Sequence, residues 1–420
     1  MSETQKHTKP NVPNLSVKRE QKELQIHSAE RETNVGRNVP NLRFPGFEGE
    51  WKECRNEDLG KVITGNTPPT AETRYYENGY KLWASPADLS GDKYISRTQT
   101  RLTEEGFSKT RVVPQGTTLV TCIGSTIGKM GMASQEMSTN QQINSVIPYE
   151  STDGQYLYYA IQSQFPRYVN SIAVQAVPII SKGTFEKLKN YRPNIDEQRR
   201  IGSFLDLLDR RITIQNKVIE DLKKLKTALC DRLYNESTSN CRIGDIIEQL
   251  SARNKDGNTQ NVLSVSNRYG FISQAEQFEE RSIASEDTTN YKVVRLNDFA
   301  YNPARINVGS IARLKSIEKG IVSPMYICFR CGEVVLPEFL EQFFSTKYFS
   351  LEVGKRLEGS VRMCLSFEGL CNIPISLPSL VQQKGISEKI NCLNKKFQIE
   401  ENYLFALLNQ KQYLLSHLFI

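Results

Sequence analysis

Groups that move protons, hold metals or attack substrates are few in this chain, and fewer still are spaced to act together. The three histidines, His7, His27 and His417, sit at the two ends. A histidine base or a multi-histidine metal site is therefore not expected. Gly124-Ser125-Thr126-Ile127-Gly128-Lys129-Met130 resembles a phosphate-binding loop. It is one residue short between the glycines, and Met130 stands where Ser or Thr would hold magnesium. Tyr301-Asn302-Pro303-Ala304 is similar to an adenine methylase loop but lacks its second proline and following aromatic residue. No G-x-G-x-x-G fingerprint occurs. Cys328, Cys331, Cys364 and Cys371 hold cysteine chemistry, but the second pair is badly spaced for zinc and Cys328 fits a buried strand position. No metal and no cofactor of the chain's own are expected. Nine cysteines, an odd and scattered set, argue against a disulfide framework.

What remains is amide and cationic chemistry near turns. In the first half these residues are Ser125, Thr126, Lys129, Asn140, Gln141 and Gln142; in the second, Arg268, Tyr269, Arg305, Asn307, Ser310, Arg313 and Arg362. Arg reads guanine edges bidentately, Asn and Gln read adenine, and Lys, Ser and Thr hold phosphates. As a set they fit contact with duplex DNA. The formal net charge of +7, from 54 Lys+Arg and 47 Asp+Glu, permits such a partner without requiring it.

The elements that would carry these loops come from an internal repeat. Pro193 to Ile201 matches Pro378 to Ile386 at an offset of 185, which persists through Leu208/Leu393, Leu222/Leu407 and Leu233/Leu418. Upstream, Leu59-Gly60 matches Ile243-Gly244, Val112-Val113 matches Val293-Val294, Gly128 matches Gly309 and Tyr156-Leu157 matches Phe339-Leu340, at offsets of 181 to 184. An ordered series with drifting offsets marks two copies of one domain with small insertions. The expected plan is a tail over 1–40, a globular unit over 41–192, a long helix over 193–236, a second unit over 237–376 and a second helix over 377–420. The tail carries a local duplication, Asn11-Val12-Pro13-Asn14-Leu15 and Asn38-Val39-Pro40-Asn41-Leu42, and its composition reads as disordered. The 38% hydrophobic content and 24% charge suit globular units. With no membrane-length apolar run and no apolar core to the N-terminus, a cytoplasmic location is expected. Short β-type runs (Thr118–Ile123, Ile143–Ile147, Val262–Val265, Met325–Phe329) and one helical stretch per unit (Gln155–Gln164, Leu336–Tyr348) make each unit α/β.

The two helices carry heptad seams: Leu208, Ile212, Gln215, Ile219, Leu222, Lys226 and Leu229 in one, Leu393, Phe397, Glu400, Leu404, Leu407, Lys411 and Leu414 in the other. Asn194 with Glu197, and Ser379 with Gln382, read as capping boxes. Antiparallel pairing with facing residue numbers summing to 626 would set Lys226 against Glu400 and Gln215 against Lys411. A one-heptad shift would set Gln215 or Lys411 against leucine. The fold class is therefore α/β, two repeated units each followed by a long helix, with the helices pairing as an antiparallel coiled coil of pseudo-two-fold symmetry. Such a pseudo-dimer suits two DNA half-sites at a fixed spacing. The alternative is a coiled-coil adaptor that does not read DNA sequence.

The chain resembles the specificity subunits of type I restriction–modification systems. The carriers are Val39-Pro40-Asn41-Leu42-Arg43-Phe44-Pro45-Gly46-Phe47, the Gly124-Ser125-x-Ile127-Gly128-Lys129 hairpin with Asn140-Gln141, and the helix starts after Pro193 and Pro378. The resemblance implies that the two units are target-recognition domains for an asymmetric, bipartite duplex DNA sequence and that the helices fix the spacer. It further implies docking of two methyltransferase subunits, which bring S-adenosylmethionine, and two restriction–translocase subunits, which bring ATP and Mg. The chain itself would then be a non-catalytic subunit. The tail before Val39 is longer than the family plan requires, and Gly385 interrupts the second helix where Arg200 stands in the first.

Overall fold

The computed structural model describes residues 38–420 except 90, 171–178, 236–239, 268, 274–286 and 360–361. The expected disordered tail lies outside the described residues up to 37. The three that follow are already part of the fold, because Pro40 is buried and the Asn38 carbonyl accepts from the Trp51 amide at 2.7 Å. Two compact units emerge. One comprises residues up to Gln215 with Leu404–Ile420, and the other comprises Asn216–Tyr403. The first long helix is Ile195–Asn235 and the second is Leu380–His417, so each contributes to both units. Among the described residues, no helix is long and apolar enough to cross a membrane.

The strands of the first unit are β1 (Lys52–Arg55), β2 (Gly60–Thr64), β3 (Lys81–Ala84), β4 (Tyr94–Ile95), β5 (Arg101–Leu102), β6 (Val112–Val113), β7 (Thr118–Thr121), β8 (Met130–Ala133), β9 (Met137–Thr139), β10 (Ile143–Pro148) and β11 (Lys189–Arg192). They form a β1-β11 pair, a sheet β2-β10-β7-β8-β4 and a sheet β5-β3-β9-β6. Those of the second unit are β12 (Cys241–Arg242), β13 (Ile247–Leu250), β14 (Val262–Ser266), β15 (Gly270–Ser273), β16 (Lys292–Arg295), β17 (Phe299–Tyr301), β18 (Ile311–Arg313), β19 (Lys319–Val322), β20 (Ile327–Cys331) and β21 (Pro374–Ile375). They form a β12-β21 pair and the sheets β13-β20-β17-β18 and β15-β14-β19-β16. The two units thus repeat one topology, except that the first adds β4 at a sheet edge, paired parallel to β8. Even the odd parallel pairing recurs, β3 with β9 in one and β14 with β19 in the other. Gly128 and Gly309, matched in the repeat, both take left-handed backbone at φ of 88° and 87°.

The second unit's expected single helix is two, Pro337–Phe343 and Lys347–Gly354. Thr346 breaks them by capping the Phe349 amide with its hydroxyl. Its core is aromatic: Phe299 and Phe329 stack at 5.1 Å, and Phe344 meets both edge-on. The first unit's core is more aliphatic, built on Leu59, Val120, Val146, Leu157 and Ile161.

Each long helix is fastened at its start by a buried glutamine. Gln198 donates to the Pro193 carbonyl at 3.0 Å and accepts from the Asp153 amide at 3.0 Å. Gln383 donates to the Pro378 and Val334 carbonyls, both at 2.9 Å, and accepts from the Leu336 amide at 2.8 Å. The capping boxes differ. Ser379 and Gln382 exchange both expected bonds, Ser379 N donating to Gln382 Oε1 at 3.1 Å and Gln382 N to Ser379 Oγ at 3.4 Å. Asn194 caps the Glu197 amide at 2.8 Å, but the Glu197 carboxylate turns away. It takes the Arg43 guanidinium on both oxygens at 2.8 Å and the Trp51 indole at 3.3 Å, because that pocket offers a charged partner.

Within each unit, segments of the two helices run antiparallel. In the first unit, Lys411 Nζ meets Asp209 Oδ1 at 2.6 Å, and Phe419 packs on Trp51, which bonds Glu197. In the second, Lys223 Nζ stands 5.4 Å from the Phe397 ring centre, and Ile390 shares a core with Cys230. These contacts correct the register. Lys411 meets Asp209 and Lys223 meets Phe397, numbers summing to 620 rather than the expected 626. Lys226 does not take Glu400, which pairs with Lys396 at 2.5 Å. The reason is that a seam lysine is long enough to leave the seam. Lys411 finds a carboxylate beside the seam, so polar seam residues need not face one another.

A buried polar cluster joins the first unit's sheet to its helix. Lys93 Nζ donates to Asp206 Oδ1 at 2.8 Å and to the Tyr159 hydroxyl at 3.0 Å, and Tyr159 donates to Asp209 at 2.6 Å. Burial alone would raise the Asp206 carboxyl, but hydrogen bonds from Lys93 and Tyr94 outweigh it and hold the group below its ordinary value. A carboxyl held down in the folded state contributes stability that is present above its unfolded value and lost as pH falls through the folded one. Asp206→Asn should therefore cost the first unit about 3–5 kcal/mol near neutral pH and flatten its acid-side loss below about pH 4; thermal unfolding across a pH series checks both. Gln198→Leu and Gln383→Leu keep the side-chain volume but strand buried backbone groups. Each should cost its unit about 2–4 kcal/mol in urea unfolding, with similar size in the two copies.

Candidate nucleic-acid interface

The first unit's loops are built on two glycine turns. Gly124 and Gly128 hold positive φ, and the Gly128 amide returns to the Thr121 carbonyl at 2.9 Å. A Cβ on Gly128 would lie 2.8 Å from the Phe165 ring, so the turn is pressed against the helix Gly154–Asn170. This closes the Ser125-Thr126-Ile127 tip, with Ser125 exposed and Thr126 and Lys129 half-buried. Asn140 is itself buried and works as a loop builder. Its Oδ1 accepts from the Gln142 amide at 3.0 Å and its Nδ2 donates to Gln142 Oε1 at 3.1 Å. That presents Gln141 to solvent, where its Oε1 accepts from Thr67 Oγ at 2.5 Å. The Gln142 amide nitrogen lies 3.6 Å from a Cβ built on Gly124. The two loops of the first unit are therefore neighbours.

Sequence reasoning missed a third loop beside them, Gly65-Asn66-Thr67. Asn66 donates to the Lys109 carbonyl at 2.9 Å and accepts from the Arg111 amide at 2.8 Å, and Arg111 Nη1 donates to the Thr64 carbonyl at 2.8 Å. A Cβ on Gly65 would sit 2.2 Å from the Thr139 carbonyl oxygen. Gly-Asn-Thr-Pro-Pro is a turn signature, and it was the available signal.

In the second unit the loop between β17 and β18 is the counterpart. Asn302 accepts from the Ala304 amide at 3.1 Å, Ser310 N returns to the Arg305 carbonyl at 3.1 Å, and Gly309 closes the turn. Arg305 and Asn307 are exposed at its tip. Tyr269, 69% exposed, shares with Asn307 a cleft of about 750 Å³. Arg313 lines the same cleft but is buried, bonded to Glu341 at 3.0 Å, Asn297 at 2.9 Å and Glu338. Ser310 is buried too, donating to the Val265 carbonyl at 3.3 Å. Both hold the cleft together. Arg362 is exposed but outside the cleft, and Arg268 lies outside the described residues.

Of the seam residues, Leu208, Ile212, Gln215, Ile219, Leu407 and Leu414 are buried. Leu222, Lys226, Leu229, Leu393, Phe397, Glu400, Leu404 and Lys411 are half-buried. The opposite faces are apolar and uncovered at Leu207, Ile214, Ile399 and Phe405, each at least 60% exposed. Cys328 is fully buried in β20, and the described residues contain no cluster of metal-ligating side chains. Of the nine thiols only Cys392, on the second long helix, is exposed.

Residues 48–224 match the model of the type I restriction modification DNA specificity domain. The chain is 28% identical over 205 residues to the type I restriction enzyme MjaIX specificity subunit of Methanocaldococcus jannaschii, covering 47% of this chain and 45% of that one. It is 30% identical over 191 residues to the EcoR124I/EcoR124II specificity subunit of Escherichia coli, covering 44% and 46%. In these two comparisons the chain spans about half the length of the relative. A match to the MjaVIII specificity subunit of M. jannaschii is longer, 24% identical over 399 residues, 86% of this chain and 89% of that one. In fold, the chain is similar to the crystal structure of a type I restriction–modification S subunit from M. genitalium, with a TM-score of 0.59, 15% identity and coverage of 91% and 99%. Residues 48–224 thus match a type I DNA specificity domain, and over most of its length the chain is similar to a type I specificity subunit.

Proposed function

We propose that this chain selects the DNA sequence on which a type I restriction–modification complex acts, each unit reading one half of a bipartite duplex target. The observation that carries this reading is the doubled topology. One strand order is used twice, yet the loops at equivalent places differ in chemistry: Ser125, Thr126 and Gln141 in the first unit, Tyr269, Arg305 and Asn307 in the second. Equal scaffolds with unequal tips suit an asymmetric target. Asn140, Ser310 and Arg313 are buried members of the expected set, which suits a part in shaping these surfaces.

The chain acts without chemistry of its own. Methyltransferase subunits bring S-adenosylmethionine, and restriction–translocase subunits bring ATP and Mg. Two methyltransferase copies are supported by the repeat, because Ile214 and Ile399 stand at the same place in the two helices and are 63% and 60% exposed. An uncovered isoleucine on each helix is suited to an apolar helical partner. The family's cytoplasmic setting follows with this role.

Single-molecule methylome sequencing of cells carrying the chain and its methyltransferase partner should reveal a split N6-methyladenine motif that disappears when this gene is deleted. Unchanged methylation with the partner expressed would favour the adaptor reading. In the same cells Asn307→Ala should relax one half of the motif and Gln141→Ala the other. Ile214→Lys or Ile399→Lys should each lower the methyltransferase recovered by co-purification by roughly half, and the double variant should abolish it, with the unfolding midpoint unchanged.

A further inference from the structure

The repeat provides an internal comparison for one site. In the first unit Asp206 and Asp209 face Lys93, Lys411 and Tyr159. At the offset of 185 the residues matching Asp206, Asp209 and Lys411 are Asn391, Asn394 and Lys226, and one strand-helix register earlier Tyr159 matches Gln342. All four matched residues line one cavity of about 350 Å³ in the second unit. The first site balances two carboxylates against two ammonium groups. The second keeps a lysine but has exchanged both carboxylates for amides.

The consequences are visible in the pairing. Lys226 is half-buried and makes no hydrogen bond or ion pair among the described residues. Gln342 is 8% exposed. Its Nε2 donates to the Ser387 carbonyl at 3.2 Å and to Asn391 Oδ1 at 3.1 Å, whereas its Oε1 is buried without a partner. The other charges on the wall are tied to one another: Arg313 to Glu338 and Glu341, Lys315 to Glu341 at 2.8 Å. Lys226 is left as the uncompensated charge.

An ammonium needs an acceptor, and a buried amide carbonyl needs a donated hydrogen. A water can serve the carbonyl but leaves the charge unbalanced. A carboxylate balances the charge but brings no hydrogen. A hydrogen-bearing oxyanion does both, and the Asn391 and Asn394 amide nitrogens supply further donors. We propose that this cavity binds a small protonated oxyanion of the phosphate class, held by Lys226, Asn394, Asn391 and Gln342. The anion takes the part that Asp209 plays in the first unit. Asn391 is exposed, so the cavity opens there and either free phosphate or the head of a small phosphate ester fits the same chemistry. The inference stands on the repeat and the cavity, not on the reading of DNA.

The test is thermal unfolding of the full chain in inorganic phosphate against chloride of equal ionic strength. The wild type should gain about 3 °C at tens of millimolar phosphate. Asn394→Asp rebuilds the first unit's internal counter-ion. It should raise the midpoint in chloride and remove the phosphate-dependent gain. Lys226→Met should fold, being apolar at a seam position, and should also lose the gain. No gain in the wild type overturns the proposal, as does a gain that survives undiminished in both variants, because phosphate would then be binding elsewhere. If Lys226→Met fails to fold, Asn394→Asp decides alone. Glycerol phosphate run in parallel assigns the source: an equal or larger gain points to an ester, none to the free ion.

Discussion

A long helix can aim a recognition surface only if its first turn is rigidly joined to that surface. Here the joint is a single buried glutamine, used twice. Gln198 and Gln383 each occupy a place where a backbone loop and a helix start would otherwise leave polar groups facing one another without partners. Burying a neutral amide costs less than burying a charge, and its two ends can serve a donor and an acceptor at once. Everything further out depends on this joint. The sheet follows the loop, the helix follows the cap, and the angle between them is set where neither can slide.

The duplicated scaffold also separates what the fold needs from what each copy has made of it. Strand order, the parallel pairing, the glutamine joint and the left-handed glycine at the loop turn are common to both units. Core composition, loop chemistry and the charges beside the seam are not. Lys411 and Lys226 occupy equivalent positions, yet only the first is paired with a carboxylate, because the glutamates near Lys226 are held by Arg313 and Lys315. Shared features mark structural constraint, and divergent ones mark freedom or function. This comparison needs no second protein.

Much of this plan could be read from the residues. The ungapped offset through the helices announced the repeat, and short β-type runs such as Ile143–Ile147 announced strands. Two things were illegible for physical reasons. Whether a polar residue lies on a surface or braces it depends on tertiary partners, and Arg313, Ser310 and Asn140 are buried and bonded within their units. Helix register was misjudged because pairing was scored along the seam alone. A lysine stem reaches past its own layer, and Asp209, outside the seam, takes both Tyr159 and Lys411. Glu197 shows the same lesson at a helix start, where sequence spacing offered a capping box and Arg43 offered something stronger.

The distribution of thiols bears on how the molecule can be watched. Burial pushes Cys122 and Cys328 up to about 12 and Cys54 to about 11, so these sulfurs remain protonated and inert near neutral pH. Cys392 alone is exposed, and it lies on the second long helix. A maleimide dye therefore meets one preferred anchor without any cysteine being engineered away. The native chain comes with a built-in reporter position on the very element that spans both units.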